Sequence, residues 1–297
     1  MTAVYFDQSI ADQDRRKSLY DGDLFVYSPT PASMKLIALA REMLAEAFAP
    51  HNPRDIDRHL DIAECAAILA VLKPKFIHHS ECKRLLPQLI AELGGDPDKI
   101  YFDVPRLRSA YPTGYLTSGI AYAFHPHRDT WYSAPMCQIN WWLPIFEITP
   151  TNGMAFHPRY FRESVANNSE KYNYHEWNKK SRLEAAKHVR SDSREQPKPQ
   201  QAIERLDVRL VCPPGGVILF SGAQLHETVE NISGTARYSI DFRTVHLDDV
   251  LARTGAANVD SRSTGTTMSD YLRCSDLAGL PDEVVRSYDE VSTRLGP

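Results

Sequence analysis

The sequence has few cysteines and no recognisable cysteine pattern. Five cysteines occur among 297 residues, they are widely scattered, and none belongs to a Cys-x-x-Cys pair. Disulfide frameworks and structural zinc sites depend on paired or closely spaced cysteines. We therefore expect a protein of a reducing compartment, the cytoplasm, with no disulfide and no structural zinc.

The sequence also lacks the marks of membrane and nucleic-acid-binding proteins. No apolar run reaches membrane-spanning length, and the N-terminus has no charged-then-apolar signal pattern. The net charge is -4 and the pI is about 6.3, so no broad basic surface is expected. Membrane and nucleic acid are thus not expected as partners, whereas a small-molecule substrate is, and a homo-oligomer stays open.

What the chain does contain is an ordinary globular composition, with 42% hydrophobic and 24% charged residues. A chain of this length buries a sizeable core, and we interpret residues 1–297 as a single domain. Residues 1–112 are expected to be mainly helical support. Thr30 is an N-cap candidate and Pro31 a first-turn proline, and a helical repeat of apolar residues follows.

Two more helices are predicted in this first part of the chain. The second covers residues 62–72 and ends before Pro74, because proline disrupts a helix interior. The third covers residues 80–93, with Gly94 and Gly95 as its stop signal and Pro87 as a kink or as its true start.

From residue 113 the hydrophobic period changes from helical to strand-like. The predicted strands are separated by Gly and Pro turns and cover residues 115–124, 136–145, 153–157, 208–212, 216–220, 224–230 and 237–245. Many short strands with helices segregated at one end favour a mainly β fold with a helical flank. The prediction is a β-sandwich or jelly-roll core over residues 113–246, packed by the N-terminal helices.

Two polar segments adjoin this core. Residues 160–206 form an insertion that is typical of a solvated helix and loop, or of a lid over a site. Residues 247–297 form a tail that is first rich in Ser, Thr and Gly and then weakly helical. Whether the insertion or the tail covers the site is left open.

Candidate metal ligands come from His-x-acid triplets, whose side chains share one face of an extended backbone. Composition alone gives about 1.4 such triplets, whereas the sequence has four, beginning at His59, His79, His127 and His246. The first two lie in helical-looking sequence, where residues i and i+2 diverge. The fourth contains the last histidine of the chain. Context therefore favours His127 and Asp129.

A third candidate ligand is His226, on a later predicted strand. Two histidines and one carboxylate on a β scaffold are typical of the facial triad of non-haem Fe(II) oxygenases, which leaves three coordination positions open. We therefore predict His127, Asp129 and His226 as metal-binding catalytic residues. His125 has the same parity as His127 and stays open as an alternative ligand.

An arginine on the next strand suits an anionic keto-acid co-substrate. The planar guanidinium pairs with carboxylates through two hydrogen bonds. Arg237 follows His226 by eleven residues, and Arg243 shares its parity. Asp241 is expected to pair with one of these arginines. Thr228 lies two residues after His226, so on a strand its side chain faces the same way. Arg237 is our prediction for the keto-acid anchor.

The residues beside the triplet are predicted to contact substrate, since binding residues are concentrated on loops. They are Arg128, Trp131 and Tyr132. Trp141 and Trp142 are adjacent, so on a strand one faces inward and the other outward.

The order of these motifs resembles the phytanoyl-CoA dioxygenase-like branch of Fe(II)/2-oxoglutarate-dependent oxygenases over residues 113–246. The motifs are His-x-Asp, an Asn-Gly turn after an aromatic strand, a Pro-Gly-Gly turn, a distal His and an Arg eleven residues later. The resemblance implies a double-stranded β-helix, a cupin-like core with Fe(II) on the triad. It also implies 2-oxoglutarate held by Arg237, Thr228 and Trp142, with O2 as the oxidant.

Two details refine this resemblance. The segment after the Asn-Gly turn departs from the usual Pro-Gly-Ser-His, which leaves the role of His157 open. Related halogenases have Gly or Ala where this chain has Asp129, so hydroxylation, desaturation or ring closure is implied rather than halogenation.

The implied function is hydroxylation of an aliphatic carbon of a small metabolite, such as an amino-acid-like compound or a natural-product intermediate, with release of succinate and CO2. Two alternatives remain at this stage. One is a cupin-like metal enzyme that uses no keto acid, and the other is a non-catalytic jelly-roll binding module.

Overall fold

The computed structural model describes residues 2–117, 125–180 and 196–294. The α-helices in these ranges are α1 (Asp12–Tyr20), α2 (Pro31–Phe48), α3 (Ile62–Ile77), α4 (Ser80–Glu92), α5 (Tyr174–Lys180), α6 (Leu247–Ala252) and α7 (Asp282–Arg294). The strands are β1 (Val4–Phe6), β2 (Leu24–Tyr27), β3 (Ile100–Phe102), β4 (Arg106–Ala110), β5 (Ile139–Pro144), β6 (Met154–Phe156), β7 (Val208–Leu210), β8 (Val217–Ser221), β9 (His226–Thr228), β10 (Arg237–His246) and β11 (Leu272–Arg273).

The described strands form one large and one small sheet. The large sheet has eight strands in the order β1-β2-β8-β5-β10-β3-β11, with β4 also paired to β10. Its pairs are antiparallel except β1 with β2. The small sheet is antiparallel, in the order β7-β6-β9. The fold is therefore sheet-rich with helices, as the sequence predicted.

Both faces of the large sheet are covered. One face contributes Trp141, Leu143 and Phe242 to a core that also contains the apolar stripes of α2, α3 and α4. The other contributes Trp142 and Phe220 to a second apolar cluster shared with the small sheet. Burial on both faces explains why every residue of β5 is buried.

The start of α2 follows from its sequence. The Thr30 hydroxyl accepts a hydrogen bond from the Ser33 amide, the Ser33 hydroxyl accepts one from the Thr30 amide, and Pro31 occupies the first turn. These contacts satisfy amides that have no partner inside the helix. The predicted helix beginning at this point is confirmed.

The structure corrects the account of residues 1–112 in two respects. The predicted helices are present, but this part of the chain also supplies four strands of the large sheet, β1 to β4. The prediction that the second helix ends before Pro74 is wrong, because α3 continues to Ile77, and Pro87 lies inside α4. Packing of these helices on the core outweighs the hydrogen bond that each proline loses.

The predicted strand over 115–124 lies mostly outside the described residues, since residues 118–124 are not described. Before them the chain forms a short 3-10 turn, Pro112–Gly114, and residues 115–117 form no strand. Residues 181–195 of the insertion are likewise outside the described part. None of the described helices is both long and apolar enough to cross a membrane.

Candidate metal centre

The structure brings His127, Asp129 and His226 together. One ligand atom from each lies within 4.8 Å of the others, and all three side chains are buried. The Asp129 Oδ1 atom is 3.6 Å from His127 Nε2 and 4.0 Å from His226 Nε2. These spacings suit three ligands around a single metal ion.

Local backbone geometry explains this convergence. His127 and His226 form an antiparallel bridge, with their amide and carbonyl groups 2.9 and 3.0 Å apart. Arg128 is extended, with φ -112° and ψ 142°, so His127 and Asp129 project to the same side. His226, the first residue of β9, pairs with Phe156 of β6.

Each imidazole is fixed in one tautomer by a backbone carbonyl. The Nδ1 of His127 lies 2.9 Å from the His125 carbonyl, and the Nδ1 of His226 lies 2.9 Å from the Gln224 carbonyl. Because a carbonyl oxygen only accepts, each Nδ1 must carry the proton. Each Nε2 lone pair is then available for a metal, which is the usual state of metal-binding histidines.

The charge states of this group also suit a divalent cation. Burial and then the neighbouring His127 lower the pKa of His226 to about 3, so its imidazole is neutral near pH 7. Burial raises the pKa of Asp129, but its polar neighbours, Arg243 foremost, outweigh burial and hold that pKa well below the usual range. The group therefore offers the neutral imidazole of His226 and the carboxylate of Asp129 to a cation, beside the imidazole of His127.

The metal centre opens into a cavity of about 390 Å³. Its floor is the polar face of β10, which carries Arg237, Asp241 and Arg243. The insertion and the tail both contribute to its walls, through Tyr172, Tyr174, Trp177, Thr267, Asp270 and Tyr271. Both segments that the sequence left as candidates for a cover thus line the cavity.

Arg237 lines this cavity and is 3% exposed. Its Nε donates to the Asn152 carbonyl at 3.1 Å, its Nη1 to Ser239 Oγ at 2.6 Å, and its guanidinium lies over the Trp142 ring. Within the described ranges it pairs with no carboxylate. Burial lowers its pKa to about 10, so it is charged near pH 7. This is a prepared site for an anion.

Arg243, by contrast, is surrounded by carboxylates. Its guanidinium is 3.5 Å from Asp103, 3.5 Å from Asp129 and 3.6 Å from Asp241. The predicted ion pair between Asp241 and Arg243 is therefore present, although Asp241 lies closer to Arg108, at 2.6 Å. Arg243 is the less suitable of the two arginines for binding a further anion.

The other predicted residues divide into two groups. Thr228, Trp142 and Tyr132 line the cavity. Arg128 and Trp131 do not, because both side chains are buried and donate to the Asp260 carboxylate, at 3.0 and 2.7 Å. Their geometry does not support the predicted substrate contacts and corresponds instead to a buried support for the loop that carries His127 and Asp129.

The imidazoles of the two histidines whose roles were open are not part of the converging group. His125 Nε2 is 2.9 Å from the Pro197 carbonyl, and His125 is not among the converging ligands. His157 is 1% exposed and its Nε2 is 3.2 Å from Glu227.

Two further residues at this centre were not predicted from the sequence. Gln138 donates to Asp129 Oδ2 at 2.7 Å, and the Tyr271 hydroxyl donates to Gln138 Oε1 at 2.8 Å. Gln138 could have been proposed, because on a strand it faces the same side as Asn140 and Trp142. Tyr271 lies in the tail, and no local pattern connects it to the triad.

No family model and no curated protein sequence matches this chain. Among solved structures it is similar to EvdO2 from Micromonospora carbonacea var. aurantiaca, at 13% identity over 80% of this chain and 92% of that one, with a TM-score of 0.47. AviO1 from Streptomyces viridochromogenes Tue57 is 12% identical over 80% and 96%, with a TM-score of 0.37.

A third solved structure is the non-heme monooxygenase ThoJ, 12% identical over 74% of this chain and 71% of that one, with a TM-score of 0.38. EvdO2 has also been solved in complex with 2-oxoglutarate. Likenesses at this level assign the chain to no family, so its function has to be inferred from the metal centre itself.

Proposed function

We propose that this chain is an Fe(II)- and 2-oxoglutarate-dependent oxygenase that hydroxylates an aliphatic carbon of a small metabolite. The observation that carries the proposal is the convergence of two imidazole Nε2 atoms and one carboxylate oxygen within 4.8 Å on a β scaffold. This donor set is the facial triad of non-haem Fe(II) oxygenases. With it we propose a double-stranded β-helix core of the phytanoyl-CoA dioxygenase-like branch.

The residues present fit the metal and the co-substrate. Two imidazoles and a carboxylate are suitable ligands for Fe(II), and three protein ligands leave three positions for a chelating keto acid and O2. The buried Arg237, with no described carboxylate partner, would hold the far carboxylate of 2-oxoglutarate. Thr228 and Trp142 would line that part of the cavity.

Fe(II) bound here with 2-oxoglutarate would supply O2 activation, so that the co-substrate is oxidised to succinate and CO2 while a substrate C–H bond becomes C–OH. The chain's own residues bind and orient the reactants. Arg237 would hold one end of the keto acid, and Tyr132, Tyr172 and Trp177 also line the cavity. The three proposed metal ligands are buried, which limits the access of bulk water to them.

Succinate formation by the purified chain tests this proposal. The chain is loaded with Fe(II) without oxygen, exposed to O2 with and without 2-oxoglutarate, and screened against small metabolites, with Asp129→Ala as the inactive control. We expect succinate only with Fe(II), O2 and 2-oxoglutarate together. Turnover of a metabolite without the keto acid would favour the cupin-like alternative. Absence of both metal binding and turnover would favour the non-catalytic module.

A further inference from the structure

The two oxygen atoms of the Asp129 carboxylate have different surroundings. Oδ1 faces the imidazoles, 3.6 Å from His127 Nε2 and 4.0 Å from His226 Nε2. Oδ2 faces the other way, 2.7 Å from Gln138 Nε2 and 3.5 Å from the Nε of Arg243. One oxygen is therefore directed at the metal position and the other is held by protein donors.

Gln138 is itself held in a single orientation. Its amide nitrogen donates to Asp129 Oδ2 and, at 2.8 Å, to Asn140 Oδ1, and its Oε1 accepts from the Tyr271 hydroxyl. The Gly222 amide donates to the Gln138 carbonyl at 2.9 Å. A Cβ at Gly222 would lie 3.1 Å from Gln138 Nε2. The Gln138 amide is thus fixed by hydrogen bonds and by close packing.

Arg243 is also fixed independently of Asp129. Its guanidinium pairs with Asp103 and Asp241, and its backbone amide donates to Asp103 Oδ1 at 2.7 Å. A partly buried guanidinium held by two other carboxylates keeps its position whether or not the Asp129 side chain rotates. It therefore acts on Asp129 Oδ2 from a fixed point.

We propose that Gln138 and Arg243 are positioning residues that occupy Oδ2, so that Asp129 binds the metal through Oδ1 alone. This rests on the proposed function, which needs three open coordination positions, two for the keto acid and one for O2. A carboxylate that binds through both oxygens would take one of them. Donors that hold one oxygen of a ligating carboxylate keep that position open.

The test compares four variants of the full-length chain. Gln138→Leu removes the amide donor, and Tyr271→Phe removes only the hydroxyl that orients it. Thr244→Val is the matched control. It removes a buried hydrogen bond, from Trp141 Nε1 to Thr244 Oγ1 (2.9 Å). Thr244 follows Arg243 in the sequence but does not line the cavity. Asp129→Ala tests the metal site itself.

Two readouts are used, and neither is turnover. The first is Co(II) affinity, followed by visible absorption. The loss of a hydrogen bond to a metal ligand typically weakens metal binding by about 10- to 100-fold, so we expect this loss in Gln138→Leu, a smaller one in Tyr271→Phe and none in Thr244→Val. The second is the crystal structure with Mn(II), in which Asp129 should bind through Oδ1 alone in the unmodified chain and through both oxygens in Gln138→Leu.

A folded Gln138→Leu that binds Co(II) as tightly as the unmodified chain, with Asp129 still bound through one oxygen, would overturn the proposal. If Gln138→Leu does not fold, unchanged Co(II) affinity in Tyr271→Phe has the same meaning. Failure of the proposed function is recognised separately, by Co(II) binding to Asp129→Ala as tight as to the unmodified chain.

Discussion

His127 and His226 donate backbone hydrogen bonds to each other's carbonyl oxygens, at 2.9 and 3.0 Å. The two imidazole rings consequently lie side by side, with centroids 4.3 Å apart. Their spacing is set by the backbone rather than by flexible side chains, and the Nδ1 hydrogen bonds fix the ring orientation. The backbone pairing and these hydrogen bonds therefore restrict both candidate ligands, which limits the conformational entropy that they would lose on binding an ion.

Replacing Arg237 by Met should separate co-substrate binding from folding. Losing a charge-assisted pair costs about 2–5 kcal/mol, or roughly 30- to 4,000-fold in 2-oxoglutarate affinity. The free energy of unfolding should change far less, because the substitution leaves no described carboxylate buried without its partner. Anaerobic 2-oxoglutarate titration and thermal melting measure the two effects.

Arg243→Met is the comparison for this variant. It deprives Asp103, Asp129 and Asp241 of a cation, so we expect a larger loss of stability than in Arg237→Met. A larger loss of 2-oxoglutarate affinity in Arg243→Met would show that the roles of the two arginines are reversed.

Asp260→Asn should destabilise the chain strongly. Arg128 and Asp260 form an ion pair whose side chains are 1% and 5% exposed, and removing one partner of a buried pair costs about 3–5 kcal/mol. The exposed pair of Arg273 and Asp276 provides the control, since Asp276→Asn should cost about 0–1 kcal/mol. Chemical denaturation gives both values, and equal values would refute a supporting role for Arg128.

Stability should decrease on acidification partly because of His246. Burial, and then Arg16, lower the pKa of this histidine, whose Nδ1 accepts from the Asp248 amide at the start of α6. The folded state therefore takes up fewer protons than the unfolded state, and stability is lost as the pH falls below the ordinary histidine pKa of about 6.5.

His246→Asn keeps an N-cap acceptor and removes this titration. Melting temperatures at about pH 7.5 and about pH 5.5 should differ less in the variant than in the unmodified chain. An equal difference would exclude His246 as a contributor to the acid sensitivity.

The reaction product should contain no halogen. The Asp129 carboxylate is ionised and faces the position between the imidazoles, so chloride would have to displace an anionic ligand that a divalent cation stabilises. Mass spectrometry of the product in chloride and bromide buffers under 18-oxygen gas checks this. A halogenated product from the unmodified chain would contradict it.

Sequence patterns predicted the elements that have strong local signals. The N-cap of α2 and the strands β5, β8, β9 and β10 fall close to their predicted positions, because alternation and turn residues mark them. β4 was missed, since its sequence Arg-Leu-Arg-Ser-Ala is short and charged and its partner β10 lies far along the chain. Its strand conformation is a property of that pairing.

The same distinction applies to the metal centre. His127, Asp129 and His226 could be proposed because residue type, parity and order along the chain select them. Tyr271 could not, because no local sequence pattern indicates that the tail folds back and places its hydroxyl against Gln138. The orientation of Arg128 toward Asp260 could not be predicted either, because its position beside two candidate ligands does not show which way its side chain points.

Metal stoichiometry of the unmodified chain and of His226→Ala tests the central claim most directly. Both proteins are purified, loaded with Fe(II) without oxygen, desalted and analysed for iron. We predict one iron per unmodified chain and loss of stoichiometric iron in His226→Ala, because two remaining ligands do not hold the ion through desalting. Stoichiometric iron retained by a folded His226→Ala would contradict the assignment of the triad.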